Sequence, residues 1–276
     1  MILTGNAKLA GVIGWPVGHS RSPRLHGHWI EQYGIDGAYV PLAVAPDDFE
    51  RALAGLRAAG FRGVNITVPH KERAYRACDT LDADAKRIGA VNTITFEPDG
   101  AIKGSNTDAF GFIENIRQTA KWSGGVAMVL GAGGAARAIC VALLDAGATE
   151  IRLINRTRAR AESLASQIGP IIRVYDWENR SKAEENASLL VNTTSLGMTG
   201  QPPLDIGLDA LPTSAIVNDI VYAPLETPLL AQARERGNVV VDGLGMLLHQ
   251  ARPGFESWFG VAPAVTPALR QFVLGS

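Results

Sequence analysis

The stretch Val126-Ala-Met-Val-Leu-Gly131-Ala-Gly133-Gly134-Ala-Ala136-Arg-Ala138 constrains the fold more than any other part of the chain. Its apolar opening predicts a buried parallel strand, and three glycines then predict a tight turn. The small and apolar residues of 135–146 predict a helix lying close against a sheet. The spacing is G-x-G-x-x-A. The first glycine permits the turn, the second lets backbone approach a pyrophosphate, and Ala136 lets helix and strand pack closely. The helix N-terminus would meet the phosphates with free N–H groups and its dipole. A second strand is expected at Ile151–Ile154, which sets the glycines in a strand–turn–helix–strand context.

The residues after that second strand select the cofactor. NAD sites place Asp or Glu there, accepting from the ribose 2′-hydroxyl. This chain has Asn155-Arg156-Thr157-Arg158-Ala159-Arg160 and no acid. Guanidinium forks match a phosphate, which a carboxylate would repel. The expected cofactor is therefore NADP(H). The alternative, a plain solvated helix start, sets positive charge where the helix dipole disfavours it.

At 276 residues the chain has room for two modest domains. With 46% hydrophobic and 19% charged residues and a net charge of −1, it carries no global basic field to draw nucleic acid or an anionic membrane. No apolar run approaches the roughly 20 residues of a membrane span. The N-terminus lacks a signal-peptide pattern, and Cys78 and Cys140 lie outside any C-x-x-C spacing. A cytoplasmic location is expected. His19, His26 and His28 have no cysteine near them, and His26 and His28 at i, i+2 point to different sides of a helix, so no metal site is expected.

Along the chain, Leu9–Ile13 reads as a strand entering a hydroxyl-rich loop, Gly14-Trp-Pro-Val-Gly-His-Ser20-Arg-Ser22-Pro23. Ser22 is expected as an N-cap with Pro23 at the first helical position. Two serines bracketing an arginine exceed what a cap needs, so capping and ligand binding both stand as readings. A strand at 39–44, an amphipathic helix at 46–59 and a strand at 61–67 give a mostly parallel sheet. The third strand runs into Asn65-Ile-Thr67-Val-Pro69-His-Lys71. The chain holds six lysines against twenty arginines. Lys71 is either a surface residue in a first helical turn or an amine kept because it can exchange its proton. A hairpin with its turn at Asp99-Gly100 leads to Thr107-Asp108, which either starts a helix or places Asp108 at a ligand cleft. Ile216–Ile220 and Val239–Val241 complete the second sheet. The last 30 or so residues are expected to return to the first domain.

Seven motifs in order make the chain resemble the shikimate dehydrogenase family over essentially its whole length. They are Gly14-x-Pro16-x-x-His19-Ser20-x-Ser22-Pro23-x-x-His26, Asn65-x-Thr67-x-Pro69-x-Lys71, Asn106-Thr107-Asp108, Gly131-Ala132-Gly133-Gly134-Ala135, Asn155-Arg156-Thr157, Tyr222-x-Pro224 with Thr227-Pro228-Leu229, and Asp242-Gly243-Leu-Gly-Met246-x-x-x-Gln250. The resemblance implies two α/β domains. One is an N-terminal substrate domain of residues 1–107 and 244–276, with the C-terminal helices returning to it. The other is a Rossmann-type NADP domain of residues 108–243. It implies reversible NADPH-dependent reduction of 3-dehydroshikimate in aromatic amino acid biosynthesis, by a monomer or homodimer acting on a small-molecule substrate.

The same resemblance makes Lys71 and Asp108 the catalytic pair. Ser20, Ser22 and Tyr222 would take the substrate carboxylate, and Thr67, Asn92, Asp108 and Gln250 the ring hydroxyls. Ile220, Gly243 and Met246 would line the nicotinamide, with Arg156 and Arg160 on the 2′-phosphate. Gly27 and Trp15 depart from the family's usual residues at positions without an assigned role. A quinate/shikimate or aminoshikimate dehydrogenase is the alternative within enzymes, and an NADP-sensing protein without turnover the alternative outside them.

Overall fold

The computed structural model describes residues 2–275. The chain divides into two compact units, one running through Thr107 and resuming at Leu247, the other spanning Asp108–Met246.

In the first unit the elements are β1 (Lys8–Gly14), α1 (Ser22–Gln32), β2 (Gly37–Ala43), α2 (Phe49–Ala58), β3 (Gly63–Ile66), α3 (Lys71–Ala77), β4 (Thr80–Leu81), α4 (Ala83–Ile88), β5 (Thr93–Phe96) and β6 (Ile102–Ser105). They form one six-stranded sheet in the order β2-β1-β3-β5-β6-β4. The sheet is mostly parallel, as expected, and is made mixed by one hairpin. β1 runs parallel to β2 and β3, and β4 to β6, but the 93–105 hairpin pairs antiparallel with β3 and within itself. That reversal matters for the site. The register pairs Asn65 with Thr93 and Thr93 with Ser105, so the end of β3, the start of β5 and the end of β6 share one edge of the sheet. The core on one face gathers Ile13, Phe49, Leu53, Val64, Ile66 and Ile94.

The second unit contains α5 (Asp108–Thr119), β7 (Gly125–Leu130), α6 (Gly134–Asp145), β8 (Ala148–Ile154), α7 (Arg158–Ile168), β9 (Ile172–Tyr175), α8 (Arg180–Glu184), β10 (Leu189–Asn192), β11 (Ile216–Asp219), α9 (Pro228–Glu235) and β12 (Val239–Val241). Its six strands are all parallel, in the order β12-β11-β10-β7-β8-β9. This is the doubly wound nucleotide-binding order, reversing between β7 and β10, where ligands bind beyond the strand C-termini. Leu130, Leu190 and Val217 are wholly buried, which fits the apolar run of a strand covered on both faces.

The boundary falls inside α10 (Leu244–Phe259), three residues after the 243/244 boundary read from the sequence. From Leu247 the chain belongs to the first unit, through α10 and α11 (Pro267–Leu274). There Trp258 Nε1 donates to the Ile94 carbonyl at 3.1 Å, Trp29 Nε1 to Ala264 at 3.2 Å, and Arg21 to Val273 at 3.0 Å. Trp29 and Phe255 pack edge to face with centroids 5.2 Å apart.

Candidate functional site

At the shared edge of the first unit's sheet, four separate stretches of chain bring polar side chains together. The first is the loop after β1. Ser22 is the first helical residue and not the N-cap, a position Arg21 takes without a side-chain bond. Instead the Ser20 Oγ accepts from the Ser22 N–H at 3.3 Å. The N-cap expectation fails because the loop closes one residue earlier, with the Ser20 N–H donating to the Val17 carbonyl at 3.0 Å. Ser22 is buried and Ser20 partly so.

The second stretch follows β3. The Thr67 N–H donates to Ile13 at 2.9 Å, continuing the ladder past the strand end, and Lys71 opens α3, half-buried. His70 just before it is buried against Phe49, with ring centroids 4.9 Å apart and its Nε2 2.8 Å from the Val44 carbonyl. Burial holds its imidazole below the usual range. Asn65 is buried and ties two strands. Its Nδ2 donates to the Asn92 carbonyl at 3.2 Å and to Thr93 Oγ1 at 3.1 Å, while its Oδ1 accepts from Tyr39 Oη at 2.7 Å. Burial pushes the Tyr39 phenol well above its ordinary value, opposed by the Ser22 hydroxyl. His26 stacks on Tyr39 with centroids 3.9 Å apart. Burial takes its imidazole down to about 3, against the Asn65 amide.

The third and fourth stretches are 92–107 and α10. Asn92, 2% exposed, accepts from the Thr107 N–H at 2.9 Å through Oδ1. Its Nδ2 lies 3.0 Å from Thr107 Oγ1 and 3.3 Å from Gln250 Oε1. Of the substrate ligands expected in this unit, the structure thus joins Asn92 and Gln250 through Thr107; Thr67 directly follows β3, Lys71 opens α3, Ser20 lies in the loop after β1 and Ser22 opens α1. Asp108, 6% exposed, follows Thr107 as the first residue of α5.

In the second unit, a cavity of about 540 Å³ opens beyond the C-terminal ends of the strands. Gly131, Asn155, Arg156, Trp177, Thr194 and Gln201 are among its lining residues, and no acidic side chain is. Gly131 has φ +108°, and a Cβ there would come within 2.5 Å of Thr193 Oγ1, so only glycine serves. Where a Cβ would sit on Gly133 and Gly134 the space is open. Ala132 to Ala135 therefore carry the chain into α6 with backbone accessible to a large anionic ligand. Arg158 is committed to Glu162 and Asp176, both at 2.7 Å. Arg156, Thr157 and Arg160 are exposed, and neither of those two arginines has an ion-pair partner among the described residues. A glycine turn, a helix N-terminus and unpaired guanidinium groups without a carboxylate among the lining residues fit NADP(H).

Further round, Gly243 lies so close to Ile220 that a Cβ would overlap the Ile220 carbonyl. Met246 is buried nearby in sequence, and Tyr222 is half-buried in the segment after β11. That segment is held by Asp219, a buried residue not singled out from the sequence. Asp219 Oδ1 accepts from the Val221 N–H and Asn192 Nδ2, both at 3.0 Å, and Oδ2 from Thr227 Oγ1 at 2.7 Å. Burial raises its carboxyl, and these donors oppose the shift. Asn192-Thr-Thr-Ser195 carries the visible signal of a polar strand end, but Trp177 and Gln201 reach the cavity from segments without one.

Comparison with known proteins agrees with both halves. Residues 12–94 match the family described as the shikimate dehydrogenase substrate binding domain, and residues 114–197 that described as shikimate / quinate 5-dehydrogenase. The chain is 60% identical over 275 residues to a shikimate dehydrogenase (NADP(+)) of Paramagnetospirillum magneticum, covering 99% of this chain and 100% of the relative. A solved shikimate dehydrogenase in complex with NADP+ is similar with a TM-score of 0.91 at 31% identity, over 99% of this chain and 96% of that one. The shikimate 5-dehydrogenase of Thermus thermophilus in complex with NADP(H) and shikimate gives a TM-score of 0.87 at 37% identity, over 96% and 98%.

Proposed function

The chain belongs to the shikimate dehydrogenase family, and from that premise we infer that it interconverts 3-dehydroshikimate and shikimate with NADP(H). The observation that carries this reading is the likeness to NADP-dependent shikimate dehydrogenases from one end of the chain to the other. The first unit takes the substrate and the second the cofactor. Arg156 and Arg160 hold the 2′-phosphate, while Gly131, Ala132, Gly133, Gly134 and Ala135 give the turn and helix N-terminus to the pyrophosphate. Asn155 and Thr157 shape the turn between them, the Asn155 Nδ2 donating to the Thr157 carbonyl at 2.8 Å. Ile220, Gly243 and Met246 line the nicotinamide.

When bound, NADPH supplies a hydride to the ring ketone carbon. Negative charge then builds on the ketone oxygen, where the Lys71 ammonium stabilises it and gives up a proton. Asp108 orients the lysine and hydrogen-bonds the adjoining hydroxyl. Thr67, Asn92 and Gln250 hold the remaining hydroxyls, and Ser20, Ser22 and Tyr222 the carboxylate. The hydroxyl donors fix which face of the ring meets the hydride, since a misplaced ring loses the alignment that makes the step effectively unimolecular.

Among the described residues, no helix is long and apolar enough to cross a membrane. We place the protein in the cytoplasm as a monomer or homodimer, a state that light scattering reads directly. The reaction is tested by absorbance at the reduced-nicotinamide band, with shikimate or quinate crossed against NADP+ or NAD+. Strong reduction only with shikimate and NADP+ is expected. Comparable rates with quinate overturn the shikimate-selective reading, and comparable rates with NAD+ overturn the role of the arginines.

A further inference from the structure

Thr107 has no role in the reaction proposed for this chain, yet it sits where the substrate-side network closes. It lies on the two-residue connection between β6 and α5 and is 6% exposed. Asn92, Gln250 and, at 3.5 Å between the hydroxyls, Thr93 surround it. Its N–H donates to Asn92 Oδ1 at 2.9 Å, and its Oγ1 lies 2.8 Å from the Gln250 main-chain carbonyl and 3.0 Å from Asn92 Nδ2. We propose that Thr107 is a positioning residue which sets the amide orientation of Asn92 and the placement of Gln250, and through them the grip on the ring hydroxyls.

The chemistry of the partners fixes the direction of every bond. A backbone N–H can only donate, so the Asn92 atom facing Thr107 N is the amide oxygen and not the nitrogen. The Thr93 hydroxyl, 3.0 Å from the same oxygen, is consistent with that choice. Asn92 Nδ2 is therefore the atom turned toward Thr107 Oγ1 and Gln250 Oε1. Two acceptors face the Thr107 hydroxyl, the Gln250 carbonyl at 2.8 Å and Asn92 Oδ1 at 3.2 Å; the shorter contact takes its single proton, and Thr107 Oγ1 accepts from Asn92 Nδ2. A one-way relay results, from Asn92 N–H to Thr107 O–H to the carbonyl of Gln250. Turning the Asn92 amide over would set its Nδ2 against the Thr107 N–H, two donors face to face.

Removing only the hydroxyl opens the relay from both ends. Valine keeps the shape of threonine but leaves the Gln250 carbonyl and one Asn92 proton without this partner. The Thr107 N–H and the Thr93 hydroxyl still hold Asn92 Oδ1, so the loss falls on Asn92 Nδ2 and on Gln250, whose placement against the ring hydroxyls loosens. Serine keeps the donor and acceptor.

The test is steady-state kinetics and equilibrium NADP+ binding of Thr107→Val, Thr107→Ser, Asn92→Ala and the Thr107→Val/Asn92→Ala double variant. Thr107→Val is expected to lower kcat/KM for shikimate by roughly 10- to 100-fold, the range of one or two lost buried hydrogen bonds. NADP+ affinity should stay within about twofold, and Thr107→Ser should stay within about threefold of the parent in all constants. The double variant should be little worse than Asn92→Ala alone, because Thr107 acts through Asn92. Additive losses overturn the proposal, as does an equal loss of NADP+ affinity. Should valine not be accommodated, Thr107→Ala carries the same measurements, and failure of both to fold makes Thr107 a core residue and overturns the proposal too. The inference rests on Asn92 being a substrate ligand. An unchanged shikimate KM in Asn92→Ala sinks that premise with it, whereas a raised KM with an additive cycle sinks Thr107 alone.

Discussion

In the first unit Asn65, Asn92, Thr93 and Thr107 are nearly inaccessible and satisfy one another. In the second, Arg156 and Arg160 lie at the surface on either side of an arginine already paired. On the proposed roles, the contrast follows from what each would hold. A small ring whose hydroxyls differ only in direction is told apart by geometry, so its ligands need fixed rotamers and low dielectric around them. A phosphate dianion is recognised by charge and reach, and exposed guanidinium groups supply both without prior ordering. One surface is specified by direction and the other by sign.

The largest expected effect falls on the first surface. Lys71→Ala should lower kcat by roughly 10²- to 10⁴-fold, the usual share of general acid catalysis. Shikimate and NADP+ affinities should change far less, read by single-turnover and binding measurements. Near-normal turnover would remove the lysine from the proton step and leave the buried amides as the main catalytic feature. Next in size, Arg156→Ala should weaken NADP+ binding roughly 10- to 100-fold, the worth of one or two charge-assisted hydrogen bonds, with kcat nearly kept. Raising ionic strength should weaken NADP+ binding in the parent and do so less in this variant, while the shikimate KM responds little. A shikimate KM as salt-sensitive as the cofactor's would break the distinction between direction and sign.

The two surfaces are also unequally readable from sequence. Gly131 to Ala136 and Asn155 to Arg160 are contiguous, and each local requirement, a positive φ or a missing acid, is written in the residue itself. The parallel sheet around them follows from the alternation of apolar runs and small-residue helices. The network of Asn65, Asn92, Thr107 and Gln250 is assembled from four segments by strand register and by the return of α10. No local pattern encodes that pairing, so the family resemblance supplies the residues but not the bonds between them. The same limit explains the mixed sheet: the hairpin at 93–105 is visible in the residues, but its antiparallel partner β3 is not. Ser-Pro is a good helix start and points to Ser22 as the cap, whereas loop closure by Ser20 moves the cap to Arg21.

Smaller effects extend the comparison to stability, where the units should respond to pH with opposite sign. In the first, His26 is buried neutral, its imidazole held at about 3 against an ordinary 6.5. Below pH 6.5 the unfolded chain takes up a proton that the folded one refuses, so stability falls as pH drops from 6.5 toward 3, by up to about 1.4 kcal/mol per pH unit. Replacing His26 with Phe should flatten that slope in melting temperatures taken across the range. An unchanged slope would mean that other groups govern the acid response.

In the second unit the buried acid Glu184 does the reverse. Burial pushes its carboxyl from an ordinary 4.5 up to about 7, against a hydrogen bond from the Ala210 backbone and the charges of Arg236 and Arg180. The folded state holds the proton more tightly than the unfolded one, so stability is full below pH 4.5 and declines as pH rises through 7. Glu184→Gln keeps the shape and removes the ionisation. It should be close to neutral at pH 4.5 and stabilising by roughly 1–2 kcal/mol above pH 7, read as a difference in denaturation midpoint at the two pH values. Both Arg236 and Arg180 attract the Glu184 charge, so the sign of the difference reports whether that attraction or the loss of hydration is larger. A variant less stable than the parent above pH 7 would show that the attraction of the two arginines wins, and would remove Glu184 as the second unit's counterpart to His26.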